Sequence, residues 1–119
     1  MGKRILVVDG QETIILFLRD RLEKLGFEVA TASYGLEGLE VLKTESMNGI
    51  LHDLEMPIMD GLTMLDRLCQ KSSTVSAIVM SADPTRSTMI RAIDFGARDY
   101  LFKPIPDFIL KHKCLRLFP

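Results

Sequence analysis

Tryptophan is absent from this chain, and its 119 residues include only two cysteines. Cys69 and Cys114 stand far apart and without CxxC spacing, which argues against a zinc site or a disulfide framework. They read as buried or incidental thiols of a reducing compartment. A basic excess is missing too, since the formal net charge is -1. Nucleic-acid-binding domains usually carry a clear basic surplus, so no direct nucleic-acid contact is expected. No apolar run approaches the length of a membrane span, so no membrane insertion is expected. Lys3-Arg4 is followed by the short run Ile5-Leu6-Val7-Val8, too brief for a signal-peptide core. Leu6 breaks the myristoylation pattern that Met1-Gly2 would open. Linkers, low-complexity stretches and internal repeats are lacking. The expectation is a soluble cytoplasmic chain, and its 119 residues suit one domain rather than two.

What is present is a regular alternation of apolar runs and helical patterns. Hydrophobic residues make up 47% of the chain, enough for a core without covalent staples. Residues 4–8 (RILVV) form a β-rich run that ends at Asp9. Over 11–25, Ile14, Phe17, Leu18, Leu22 and Leu25 recur at helical spacing, and Gly26 stops the helix. Residues 27–32 (FEVATA) alternate as a strand does. Leu36, Leu39 and Leu42 repeat at three, which predicts a short helix; Gly38 within it is a mild liability for helix stability and nothing more. Residues 49–52 (GILH) run into Asp53. Leu62, Leu65, Leu68 and Cys69 mark a helix after a loop over 57–61. Residues 75–80 (VSAIVM) are a fourth strand, ending at Ser81. A helix over 85–95 turns Met89, Ala92 and Ile93 inward, and Gly96 closes it. Residues 98–102 (RDYLF) are a fifth strand, followed by Lys103-Pro104. A last helix runs from Ile105 to about Leu117, short or truncated, with Pro106 tolerated in its first turn. Five βα units in a row argue for a parallel sheet covered by helices on both faces.

In open parallel sheets, ligands bind beyond the carboxyl ends of the strands. Asp9, Asp53, Ser81 and Lys103 all fall there, with Glu12 just inside the first helix. Each alone has a bland reading: a helix cap, a turn residue, a solvated charge. Their joint placement at four strand ends suits phosphoryl transfer to a carboxylate. Asp53 would be the nucleophile, and positioning and charge neutralisation would do the rest. Lys103 and the Ser81 hydroxyl would bind phosphoryl oxygens, and Mg²⁺ held by oxygen donors would offset the negative charge.

ILVVD at 5–9, DLEMPIMDG at 53–61, Ser81-Ala82 and GARDYLFKP at 96–104 resemble, in sequence and spacing, the receiver domain of two-component response regulators. The resemblance covers essentially all of residues 1–119. It implies a flavodoxin-like (βα)5 three-layer α/β sandwich with strand order 2-1-3-4-5. It implies Asp53 as phosphoacceptor, Lys103 as phosphate partner, Ser81 as switch hydroxyl and Tyr100 as switch aromatic. Asp9, Asp53 and the Glu55 backbone carbonyl are the implied Mg²⁺ ligands, and Lys103-Pro104 the implied cis peptide. The implied donor is a histidine kinase or phosphotransfer protein. The implied readers are a downstream protein or a fused output domain, of which these residues hold none. The implied switching surface, also a candidate homodimer face, is that of the fourth helix, fifth strand and fifth helix, with Met89, Ile90, Tyr100 and Phe108. A receiver is not an enzyme in the ordinary sense, although it can catalyse its own phosphorylation and dephosphorylation.

Two positions depart from the family pattern. Relatives carry two adjacent acidic residues after the first strand, whereas this chain has Asp9-Gly10. Loss of one anionic donor weakens a Mg²⁺ site; Glu12, or Asp9 with water, are the candidates to fill in. His52 stands where relatives have an apolar residue. Strand neighbours point to opposite faces, so His52 is expected against a helix layer, away from Asp53, as a core histidine hydrogen-bonded to backbone or a neighbour. Gly10 also favours a rival reading, a degenerate receiver with impaired Mg²⁺ binding that acts as a phosphorylation-independent interaction module. A haloacid-dehalogenase-like phosphatase is disfavoured because Asp53-Leu54-Glu55 is not its DxD arrangement. A flavodoxin is disfavoured because Asp9-Gly10-Gln11 is not a phosphate cradle.

Overall fold

A computed structural model describes residues 2–55, 63–64, 66–67, 75–83 and 85–119. The elements are β1 (Arg4–Val8), α1 (Glu12–Lys24), β2 (Glu28–Ala32), α2 (Gly35–Thr44), β3 (Gly49–Asp53), β4 (Ser76–Ser81), α3 (Arg86–Asp94), β5 (Asp99–Phe102) and α4 (Asp107–Leu117). Residues 63–64 and 66–67 are helical. The 57–61 loop, and Leu62, Leu65, Leu68 and Cys69 of the predicted third helix, lie outside the described residues.

The five strands pair in parallel in the order β2-β1-β3-β4-β5, which is the flavodoxin-like arrangement. Period-two alternation assigns the strand side chains to two layers. On one face Ile5, Val7, Leu51, Ile78 and Met80 pack with Leu18 and Leu22 of α1 and Leu110 and Cys114 of α4. On the other, Leu6, Val8 and Ile50 pack with Leu39 of α2 and Met64, while Ala77 and Val79 pack with Ala92 of α3. β3 is buried along its whole length, as a central parallel strand must be. Cys114 is a free buried thiol, and burial pushes it up to about 12.

Helix ends follow simple electrostatics and sterics. Glu12 opens α1 while Arg21 and Lys24 lie in its last turn, each matched to the helix dipole. Gly26 (φ 97°) and Gly96 (φ 109°) take the left-handed conformation that terminates α1 and α3.

Three expectations are corrected. Pro106 precedes α4 as its N-cap instead of lying in the first turn; with no backbone N–H to give, it sits where none is required. Ile93 is 46% exposed, so α3 turns Ala92 inward but not Ile93. Gly38 is a packing requirement rather than a mere liability. A Cβ there would stand 3.0 Å from Val8 Cγ2 and 3.1 Å from Met64 Cε, so α2 lies against β1 at a distance that leaves no room for a side chain.

Candidate functional site

The carboxyl edge of the sheet gathers the four strand-end residues. Asp9 follows β1, Asp53 ends β3, Ser81 ends β4 and Lys103 follows β5. Backbone bonds fix the edge: Asp9 N donates to Ala32 O (3.1 Å), Leu54 N to Met80 O (2.9 Å) and Lys103 N to Ser81 O (2.9 Å). The Lys103-Pro104 peptide is cis, as the resemblance implies. Asp9, Asp53 and Ser81 are 0%, 4% and 5% exposed, a degree of burial that ionisable and polar groups tolerate only with partners.

Lys103 supplies the main countercharge. Its Nζ lies 2.8 Å from Asp9 Oδ2 and 3.2 Å from Asp53 Oδ2. Burial disfavours the ammonium, but the two carboxylates together hold it above the ordinary lysine value. Asp9 Oδ1 accepts from Gln11 N at 2.8 Å. Asp9 Oδ2 pairs with Lys103 by charge but lies off any hydrogen-bond direction. Asp53 Oδ1 accepts from Glu55 N at 3.1 Å. Burial is the main reason that Asp53 is raised to about 6; the Glu55 side chain adds to the rise and Lys103 opposes it.

Glu55 contributes something the residue pattern did not reveal. Its Oε1 accepts the Ser81 hydroxyl proton at 2.5 Å. Partial burial works against its charge, yet the Ser81 hydroxyl and Asp53 bring its carboxyl below the usual value. Ser81 Oγ also accepts from Asp83 N at 2.9 Å. The signal available in the sequence, a carboxylate two residues beyond a strand-end Asp, does not say which way that side chain turns.

Tyr100 lies on β5 beside this edge rather than within it. It is half-buried, its ring centroid is 5.1 Å from that of Phe102, and Lys113 Nζ stands 4.5 Å from its ring centroid. Glu12 is exposed in the first turn of α1. Among the described residues, no three His, Cys, Asp or Glu side chains come together as a metal-holding group. His52 is fully buried on the face opposite Asp53, between Val8 and Val79 in register. Among the described residues neither ring nitrogen has a partner in good hydrogen-bond geometry, and the backbone of the adjoining Asp53 offers only a weak contact.

The oxygen donors fit a hard cation in kind. Mg²⁺ is commonly held through one or two carboxylates with water retained, and Asp9 Oδ2 is a sealed carboxylate oxygen without a hydrogen bond. At Gly10 a Cβ would meet, among the described residues, nothing nearer than Ser33 O at 3.8 Å, an ordinary contact.

A flavodoxin-like sheet with acidic, basic and hydroxyl groups at its carboxyl edge narrows the class to α/β domains that bind at strand ends. The family profile described as response regulator receiver domain matches residues 5–114, and the chain belongs to that family. It is 38% identical to chemotaxis protein CheY of Bacillus subtilis over 105 residues, covering 87% of this chain and 88% of that protein. It is 35% identical to the alkaline phosphatase synthesis transcriptional regulatory protein PhoP of the same organism over 104 residues, covering 87% of this chain but 43% of that one. The chain thus spans less than half of that transcriptional relative. Among solved structures, the signal receiver domain of an HD domain-containing protein from Pseudomonas fluorescens superimposes with a TM-score of 0.93 at 28% identity, covering 98% and 94% of the two chains. Receiver domains are generally phosphorylated on Asp and bind Mg²⁺ at acidic residues; they are phosphoacceptors rather than classical enzymes. Among the described residues, no helix is long and apolar enough to cross a membrane.

Proposed function

We propose that this receiver, one domain over residues 1–119, accepts a phosphoryl group on Asp53 from a histidine kinase or phosphotransfer protein. The observation that carries the reading is a buried Asp53 carboxylate 3.2 Å from Lys103 Nζ at the carboxyl end of a central strand. An Asp53 oxygen attacks phosphorus and an O–P bond forms. The N–P bond of the donor phosphohistidine breaks, and its electron pair leaves on the imidazole nitrogen. Lys103, already charged and desolvated, faces the developing negative charge without having to reorganise. Asp9 keeps Lys103 in place. Asp9, Asp53 and the Glu55 backbone carbonyl are the residues that would hold Mg²⁺, which when bound supplies further positive charge against the phosphoryl oxygens.

The output surface in this reading is α3, β5 and α4, where Ile90, Phe102, Phe108 and Leu115 are exposed. A downstream protein, a fused output domain or a second copy of the chain would read it in the cytoplasm.

The deciding measurement is intact mass after incubation with acetyl phosphate, with and without Mg²⁺, on the wild type and Asp53→Asn. Gain of one phosphoryl group that requires both Mg²⁺ and Asp53 is the expected result. No gain under conditions that label an ordinary receiver assigns the chain to the interaction-module reading that Gly10 favours. Gly10→Asp, whose Cβ makes only an ordinary contact among the described residues, is the companion variant; it is expected to bind Mg²⁺ more tightly.

A further inference from the structure

Ser81 has one hydroxyl proton, and it is committed. It goes to Glu55 Oε1 at 2.5 Å, a short bond to a charged acceptor. A hydroxyl donates a single hydrogen bond, so this proton cannot also serve a phosphoryl oxygen on Asp53. The other side of Ser81 Oγ is engaged as well. It accepts from Asp83 N at 2.9 Å, and Asp83 in turn accepts from Thr85 N at 2.9 Å and from the Thr88 hydroxyl at 3.1 Å. Thr85 is the N-cap of α3 and Thr88 lies in its first turn. A continuous chain of hydrogen bonds therefore links the Glu55 carboxylate to the start of α3.

We propose that Glu55 is a positioning residue: its carboxylate holds the Ser81 hydroxyl in the resting protein and releases it when Asp53 carries a phosphoryl group. The proposal rests on the phosphoacceptor reading and adds the device that keeps the switch off. The physical reason is competition between two acceptors for one proton. Glu55 N already donates to Asp53 Oδ1 at 3.1 Å, so the two acidic residues are close neighbours. Phosphorylation replaces the Asp53 carboxylate by a group of higher negative charge with three strong acceptor oxygens. Like-charge repulsion then weakens the hold of Glu55 while a better acceptor appears. Ser81 changes partner, and the Asp83 amide and the start of α3 lose their resting arrangement. Without Glu55 the hydroxyl keeps only the Asp83 carbonyl at 3.5 Å, a long bond to a neutral acceptor, and the free protein lies closer to its switched state.

The test compares wild type, Glu55→Ala, Ser81→Ala and the double variant. The first readout is affinity for beryllofluoride, an acyl-phosphate mimic, with Mg²⁺ present. Loss of one competing hydrogen bond is expected to tighten binding about threefold to tenfold in Glu55→Ala. That gain should vanish, or shrink to a small electrostatic remainder, in the Ser81→Ala background. An equal gain in both backgrounds overturns the proposal, because Glu55 would then act by charge alone. The second readout is taken on the free variant, with beryllofluoride-bound wild type as its reference. The Asp83 amide resonance of the free protein should move in Glu55→Ala toward its position in the beryllofluoride-bound wild type. No movement also overturns the proposal. If no variant binds beryllofluoride, the phosphoacceptor reading has failed instead, and a shift of the Asp83 amide on Glu55→Ala that is absent on the Ser81→Ala background still reports the resting contact.

Discussion

Asp53 and His52 are adjacent on one strand, equally sealed from water, and treated in opposite ways by the two faces of the sheet. Asp53 points to the carboxyl-edge site, where the Glu55 amide and the Lys103 ammonium meet it. His52 points into the opposite layer, between two valines, and among the described residues neither ring nitrogen has a partner in good hydrogen-bond geometry. A buried polar group with directed partners is a site. One without them is a stability cost whose size depends on its charge. Burial pulls His52 down to about 4, although the Asp53 backbone favours the charged ring slightly, and the ring is neutral at physiological pH.

The largest effect should come from removing the partner that separates these two cases. Lys103→Ala leaves Asp9 and Asp53 as two buried carboxylates with no ammonium between them. The initial rate of labelling by acetyl phosphate is expected to fall by about a hundredfold, as for loss of one preorganised charge-stabilising donor. A fall of less than about threefold would mean that Lys103 balances resting charge but does not assist transfer.

Next comes His52→Leu. The unfolded histidine titrates near 6.5 and the folded one near 4. As pH falls, the unfolded chain takes up the proton first. Stability that is fully present above 6.5 is therefore lost progressively down to about 4. That loss is on the order of 3 kcal/mol. Urea midpoints of wild type and His52→Leu at pH 7 and pH 5 should diverge, with the variant ahead and the gap wider in acid. A gap that stays constant with pH would mean that His52 finds a partner or water on protonation.

Asp53→Asn should show the reverse sign. The Asp53 carboxyl moves from 3.8 to about 6 on folding. The folded protein holds this proton more tightly, so the contribution is complete below 3.8 and is lost as pH rises through about 6. Removing the charge should stabilise the protein at pH 7 by about 2 kcal/mol, with the gain fading in acid. A destabilised Asp53→Asn at pH 7 would show that the pair with Lys103 outweighs burial.

The contrast between these neighbours also separates what could be read in the chain from what could not. The strands, and the arrival of Asp9, Asp53, Ser81 and Lys103 at one edge, follow from apolar runs ending in polar residues. That information is local. Alternation likewise turned His52 away from Asp53. What alternation cannot supply is the far side of a contact. The bond between Glu55 and Ser81 joins residues 26 apart through a side-chain rotamer. The setting of His52 depends on what β1 and β4 place beside it, which is Val8 and Val79. Ile93 was expected inward because the pattern of α3 is apolar on more than one face, and only packing decides which face is covered.

Gly38 shows the same limit and gives the smallest effect. Read locally, Gly38→Ala should stabilise α2 by up to about 1 kcal/mol, the usual propensity difference. Read in the fold, the added methyl meets Val8 Cγ2 at 3.0 Å and Met64 Cε at 3.1 Å. Met64 can move its terminal methyl, but Val8 is held by β1 within the sheet. Overpacking of this kind costs about 1–3 kcal/mol, which exceeds the propensity gain. A net loss of about 1 kcal/mol is therefore expected by thermal or urea unfolding. Gly10→Ala is the control, since its nearest neighbour among the described residues would be Ser33 O at 3.8 Å. It should stay within about 0.5 kcal/mol of wild type. A stabilised Gly38→Ala would mean that α2 can lift off β1 at little cost, and that this layer is the looser of the two.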